Sequence, residues 1–211
     1  MVTLRDNLLR TLRRQGFEKV PLDPSSFCPD QLEAFKKRFG HDQYHHWFGS
    51  PFGAFGIRGE QPFTDWKRYY RHEELPPDTT FSGTGVGNSH QPGCFHMTRM
   101  HHPLKGDDLT VAELKEYPLP HYPAVVVAET KKKVDDLRQQ GLASAAEMAC
   151  TIWEGAWYMR SMEDLMVDLL NDDDRATVLL DRMTEMACVK IRIAAQAGRG
   201  RGPGHGWGGL G

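Results

Sequence analysis

The sequence predicts an α/β fold, and three observations carry the prediction. Amphipathic stripes recur along the chain; the clearest is Met162, Leu165, Met166, Leu169 and Leu170, spaced as one buried face of a helix. A short run of small side chains, Leu142–Met148 (LASAAEM), lies between two such stripes and reads as a buried strand. Strand and helix therefore alternate through the second half, the pattern of parallel βα units. With 211 residues, 39% of them hydrophobic, the chain suits one globular body.

The elements follow in order. Thr3 caps a first helix, with Asp6 as a capping-box partner. Leu8, Leu9 and Leu12 form its stripe and Gly16 stops it. Lys19–Asp23 reads as a short strand, and Pro24–Pro29 as a loop. A second helix carries Leu32, Phe35 and Phe39 on one side and ends at Gly40. Residues 41–108 are rich in Gly, Pro, His and aromatics and lack helical period, so short strands and long loops are expected, with a strand at Phe95–Met100.

Order returns at Leu109. Thr110 and Glu113 form a T-x-x-E capping box, and Leu109 and Leu114 sit where a hydrophobic staple places them. Pro118 and Pro120 end that helix. Val126, Thr130, Val134 and Leu137 are spaced for another, ending at Gly141. Ser161 caps the helix that begins at Met162. Beyond a break at Asn171–Asp174, Ala176, Leu180, Met183, Ala187, Ile191 and Ala194 form a long stripe.

Charge and composition exclude several classes. A formal charge of −2 gives no reason to expect nucleic acid or anionic membrane as a partner. No apolar run approaches the roughly 20 residues that span a bilayer. The opening MVTLRDNLLRTLRRQG has no continuous apolar core, so no signal peptide is expected. The four cysteines, Cys28, Cys94, Cys150 and Cys188, form no C-x-x-C and point to a reduced, cytoplasmic protein.

Two segments carry a family resemblance. HHPLKGDDLTVAELKEYPLP resembles the "HPL … T-x-x-E-[IL] … YP-x-P" stretch of the uroporphyrinogen decarboxylase superfamily. GLASAAEMACTIWEGAWYMRSMEDLMVDLLNDDDRATVLLDRMTEMA resembles its "G … E-x-A-x-x-L-R-G-x-E-x-L-x-D-L … P-x-x-A-x-x-L-L-D-R" stretch. The resemblance implies a (β/α)8 TIM barrel, of which residues 1–198 would form the front half to two-thirds. It implies a lyase acting on a tetrapyrrole or, as the runner-up, a methyltransferase using a corrinoid or cobalamin, a corrinoid protein partner and zinc. The chain departs from both patterns. The decarboxylase opens with a strand carrying R-Q-A-G-R-Y, which holds substrate carboxylates; the position matched to it here reads VPLDPSSFCPDQ, without arginine. No His-x-Cys zinc pair occurs.

A barrel needs on the order of 250 residues, whereas the pattern here gives way at Gly198 to the Gly/Arg-rich run 199–211. Read one base later, Gly and Arg codons give Val, Ala, Asp, Glu or Gly, which can spell Gly-Val-Asp-Val-Ala-Leu-Gly, a strand like the family's. A frameshift near codon 198 is therefore expected, and with it an impaired active site and an open sheet edge through which copies associate. The alternatives are a native linker-like end, an RGG-like RNA-binding tail, or a non-catalytic fragment; two arginines are a small electrostatic footprint for RNA.

Barrel chemistry gathers at the C-terminal ends of strands. That places Ser25 and Cys28 after the first expected strand, and Glu147, Cys150 and Glu154 at the second, as substrate-binding candidates. Glu147 either faces a polar pocket or pairs with a cation, because burying it alone is costly. Neither cysteine has a base beside it, so a structural thiol is the simpler reading. Glu154 and Arg160 fall in the family's "E … L-R-G" region and offer either substrate contact or a structural ion pair. His101 and His102, just before the "PL", are candidates for the pocket mouth. His41, His45 and His46 have no third ligand, and GTGVGN (Gly83–Asn88) opens no clear helix, so neither a metal nor a phosphate site is expected.

Overall fold

The computed structural model describes residues 2–24, 27–61, 64–93, 98–148 and 151–198. Helix α1 (Leu4–Leu12) starts where Thr3 Oγ1 accepts from the Asp6 amide. Its one buried residue is Asn7, whose side chain donates to Lys19 O at 2.6 Å and accepts from Glu18 N at 2.8 Å. This corrects the expected strand at Lys19–Asp23: the segment is pinned by one asparagine, not paired in a sheet. Helix α2 (Pro29–Phe39) ends at Gly40 in the left-handed region. Phe35 and Phe39 pack there against Trp47 of the single-turn helix α3 (Tyr44–Trp47), and Phe27 stacks on Tyr44 at 4.3 Å between centroids.

Strand β1 (Phe52–Gly56) is the first strand among the described residues. Next come three antiparallel strands, β2 (Thr80–Phe81), β3 (Gly87–Ser89) and β4 (Arg99–His101), in spatial order β2-β3-β4. Only the end of the expected strand at Phe95–Met100 falls in β4; residues 95–97 lie outside the described residues. Helix α4 (Val111–Glu116) has the full capping box between Thr110 and Glu113. Helix α5 (Ala124–Gln139) leads into β5 (Ala143–Glu147), the strand expected at Leu142–Met148. Strands β1 and β5 pair in parallel, from Phe52 opposite Ala143 to Gly56 opposite Glu147. Gly53 allows α5 to lie on this pair, since a Cβ there would collide with Leu137.

Helices α6 (Trp153–Arg160), α7 (Met162–Leu170) and α8 (Asp174–Gly198) complete the described chain. The main core gathers Leu104, Leu114, Tyr117, Met159, Leu165 and Met183 from the α4 region and α6–α8. A smaller core joins Ile57, Val126 and Ile193 beneath the parallel pair.

The expected partial TIM barrel is not present. The described residues hold one parallel pair and a separate three-stranded antiparallel sheet. The physical reason lies between β1 and α4. The described residues of that stretch hold no amphipathic helix to cover a growing parallel sheet, and its Gly- and Pro-rich turns join the three strands of a meander instead.

The expected face of α7 is also revised. Leu165 is buried, but Met162, Met166 and Leu169 are exposed and Leu170 is 81% exposed. Asp168 is buried in their place because Arg160 draws it inward. On α8, Ala176, Met183 and Ala187 face the core as expected, while Ile191 is exposed and Leu179, Met186 and Ile193 take up the seam.

Candidate functional site

The only parallel strands among the described residues end side by side, and ligands of α/β sheets bind beyond such carboxyl ends. Gly56 is the register partner of Glu147, whose carboxylate lies close beside it. Immediately after β1 comes Ile57, which anchors in the smaller core, and then Arg58, which is exposed. The chain is fixed just beyond it by a two-way backbone bridge: Glu60 N donates to His121 O at 2.7 Å and His121 N to Glu60 O at 3.0 Å. Gly59 permits this close approach, because a Cβ there would meet His121 O at 2.6 Å. On the β5 side, Glu147 is exposed, and so is Glu154 in the first turn of α6. Arg58, Glu147 and Glu154 form no ion pair among the described residues. Arg58, Glu147 and Glu154 are thus exposed charged side chains at or just beyond the ends of the two parallel strands.

The other sequence-predicted residues have different surroundings. Ser25 and Cys150 lie outside the described residues. Cys28 is a half-buried free thiol at the N-cap of α2, far along the chain from either parallel strand. His102 is partly buried, and its Nδ1 donates to Tyr158 O at 2.8 Å. His101 is only 1% exposed and lies in a polar chain: Nδ1 to Glu73 Oε1 at 2.7 Å and Nε2 to Ser89 Oγ at 2.8 Å. Carboxylate, imidazole and hydroxyl follow in the order of a serine nucleophile relay. Ser89, however, is 3% exposed, so no acyl group reaches its oxygen. The chain of bonds ties β3 and β4 to the 70–73 segment. Tyr70 reinforces it by accepting from Gly87 N and donating to Gly85 O, and burial holds its phenol above the ordinary value.

Arg160 resolves to the structural ion pair. Its side chain is 1% exposed; Nε donates to Asp168 Oδ2 at 2.9 Å and Nη1 to the carbonyls of Leu104 and Gly106 at 2.7 and 2.6 Å. Arg175 shares Asp168 at 3.0 Å and donates to Asp107 O at 3.0 Å. Arg182 donates to Leu114 O and Tyr117 O at the end of α4, and burial lowers its pKa. These three arginines fix the 104–109 loop and α4.

That loop and α4 form one side of a cleft of ≈ 360 Å³, with the 68–71 segment opposite. Its apolar lining includes Tyr69, Leu104, Leu109 and Tyr117. Its rim carries Arg68, Arg71 and Lys105. Arg71 is taken up by Glu113 and Asp108. The Thr110 amide and Arg71 hold the Glu113 carboxyl down at about 2, and His72 lowers that of Asp108. The sequence reading did not single out these residues; the signal available was the interleaving of aromatic and basic side chains in Trp66-Lys67-Arg68-Tyr69-Tyr70-Arg71.

Among the described residues no group of three His, Cys, Asp or Glu converges to hold a metal, and no helix is long and apolar enough to cross a membrane. Comparison of the chain with protein-family models, curated proteins and solved structures gives no match.

Proposed function

We propose that the chain is an enzyme-type α/β protein, similar to the uroporphyrinogen decarboxylase superfamily, that binds a polycarboxylate tetrapyrrole beyond the ends of β1 and β5. Arg58 is the observation that carries this reading. The resemblance implies an arginine-bearing first strand that holds substrate carboxylates. The segment Phe52–Arg58 (FGAFGIR), not VPLDPSSFCPDQ, is the first parallel strand and its exit, and it ends in an exposed arginine without an ion-pair partner among the described residues. A guanidinium there offers a bidentate fork to a propionate or acetate side chain. Glu147 and Glu154 supply acceptors for pyrrole N–H groups. Cys28 and Cys188, both free, support a reducing, cytoplasmic setting.

The test is a titration with an octacarboxylate porphyrin, read as a shift of its intense near-ultraviolet band. The reading predicts saturable binding that weakens at least tenfold in Arg58→Glu. A band that does not move on mixing with the wild-type chain would overturn it.

A further inference from the structure

Two helices leave an apolar stripe uncovered, and the two stripes have the same spacing. On α1, Leu4, Leu8 and Leu12 stand at i, i+4 and i+8; Leu4 and Leu12 are exposed and Leu8 is partly buried, while the helix buries Asn7. On α7, Met162, Met166 and Leu170 stand at i, i+4 and i+8 and all three are exposed, as are Val167 and Leu169, while Leu165 and Asp168 are buried. Each helix has 9 residues. Residues four apart form the ridges that interlock when helices pack, so two ridges of equal length stand open to solvent. Apolar groups gathered in this way mark an interaction surface.

The charges around the two stripes are opposite. From Thr3 to Leu22 the chain carries Arg5, Arg10, Arg13, Arg14 and Lys19 against Asp6 and Glu18. Arg5 pairs with Asp6; the other four cations and Glu18 form no ion pair among the described residues. From Ser161 to Asp174 there is no Lys or Arg, and there are six carboxylates. Arg160 takes Asp164 and Asp168, and Arg175 takes Asp168 and Asp173. Glu163, Asp172 and Asp174 stay exposed, with no cation paired to them among the described residues. The chain's overall charge of −2 averages over these two regions.

We propose that α1 of one copy of the chain docks on α7 of another, a head-to-tail self-association. Charge selects this pairing. Docking α1 on α1 would bring unpaired cations together, and docking α7 on α7 would bring unpaired carboxylates together. The mixed pairing covers both apolar stripes and sets opposite charges face to face. The two methionines of α7 suit a leucine ridge, because an unbranched thioether adapts its shape to what it meets. Each 9-residue helix is only about 13 Å long, so the contact is small and transient. Its charges are exposed, so salt weakens it. The proposal does not rest on the tetrapyrrole reading, since neither helix supplies Arg58, Glu147 or Glu154.

The experiment is analytical ultracentrifugation of the full chain, from micromolar concentration up to about 1 mM, the range of a weak contact, at low and at physiological ionic strength. The average mass should rise with concentration, and more steeply at low salt. Two double variants test the pairing: Arg10→Glu with Arg13→Glu beside α1, and Glu163→Lys with Asp174→Lys beside α7, all at exposed positions. Each double variant alone should associate at least tenfold more weakly than wild type. An equimolar mixture of the two should associate again, because the unaltered α7 of the first meets the unaltered α1 of the second. Damage to the fold cannot produce that recovery. A wild-type chain that stays monomeric throughout, a double variant that associates like wild type, or a mixture that does not recover would each overturn the proposal. So would a monomeric wild type that sediments with anionic phospholipid vesicles, since that would assign the α1 face to a membrane.

Discussion

The region from Leu104 to Ala197 and the region from Thr3 to Phe48 are both mainly helical, yet the polar ties through the first close far longer stretches of chain. In the first, Arg160, Arg175 and Arg182 reach backbone carbonyls more than fifty residues away. Those bonds convert neighbouring helices into one fixed body that carries the cleft. In the second, the buried polar tie is Asn7, which reaches twelve residues. Leu4, Leu12, Phe17, Val20 and Leu22 remain exposed around it. The contrast shows what rigidity at a site rests on here: hydrogen bonds that close long loops, not helix content.

The sharpest way to break the contrast is Asp168→Ala. It leaves the buried Arg160 without its main carboxylate and takes from Arg175 one of its two carboxylates, Asp173 remaining. The expected loss is about 3–5 kcal/mol, read as a shift of the denaturant midpoint. A midpoint within experimental error of wild type would mean that the arginine network does not hold this region.

Next comes Leu165→Ala in the main core, where a fully buried side chain is truncated. It should cost roughly 2–5 kcal/mol, depending on how far the cavity collapses. Thr110→Ala removes the capping box of α4 and should cost about 1 kcal/mol; the same measurement checks it.

Acid sharpens the picture from another side. The Glu113 carboxyl lies at about 2 in the folded chain, below its ordinary 4.5, chiefly through the Thr110 amide and Arg71. A depressed carboxyl contributes stability that is full above the unfolded value and is lost as pH falls toward the folded one. Stability should therefore drop between pH 4.5 and 2, and Glu113→Gln should flatten that drop. An unchanged acid limb in the variant would refute the assignment. The smallest effect is Leu12→Ala in the N-terminal region. The side chain is 69% exposed, so the midpoint should move by less than about 0.5 kcal/mol equivalent.

The helices were the legible part of the sequence, because caps and periodicity are local. Thr3, Gly40, Thr110 and Ser161 all mark ends where they were expected. β5 was legible from its small side chains. β1 was not: Phe-Gly-Ala-Phe-Gly has two glycines, and its strand character comes from pairing with a segment nearly a hundred residues away. With β1 unrecognised, the first strand was expected at Lys19–Asp23, and Ser25 and Cys28 were chosen as the residues beyond its end. The outward face of α7 was misread because periodicity counts apolar residues and does not register that a buried arginine needs Asp168. His101 was identified as a site residue, but a sequence position just before "PL" does not reveal that Ser89 and Glu73 enclose it.

The central claim is that Arg58, at the end of the parallel pair, is the carboxylate anchor for a tetrapyrrole. The most direct measurement titrates octacarboxylate porphyrin into wild type, Arg58→Glu and Lys105→Ala side by side at one ionic strength. The account predicts that Arg58→Glu loses at least tenfold in affinity while Lys105→Ala matches wild type. Equal affinity for wild type and Arg58→Glu would contradict it.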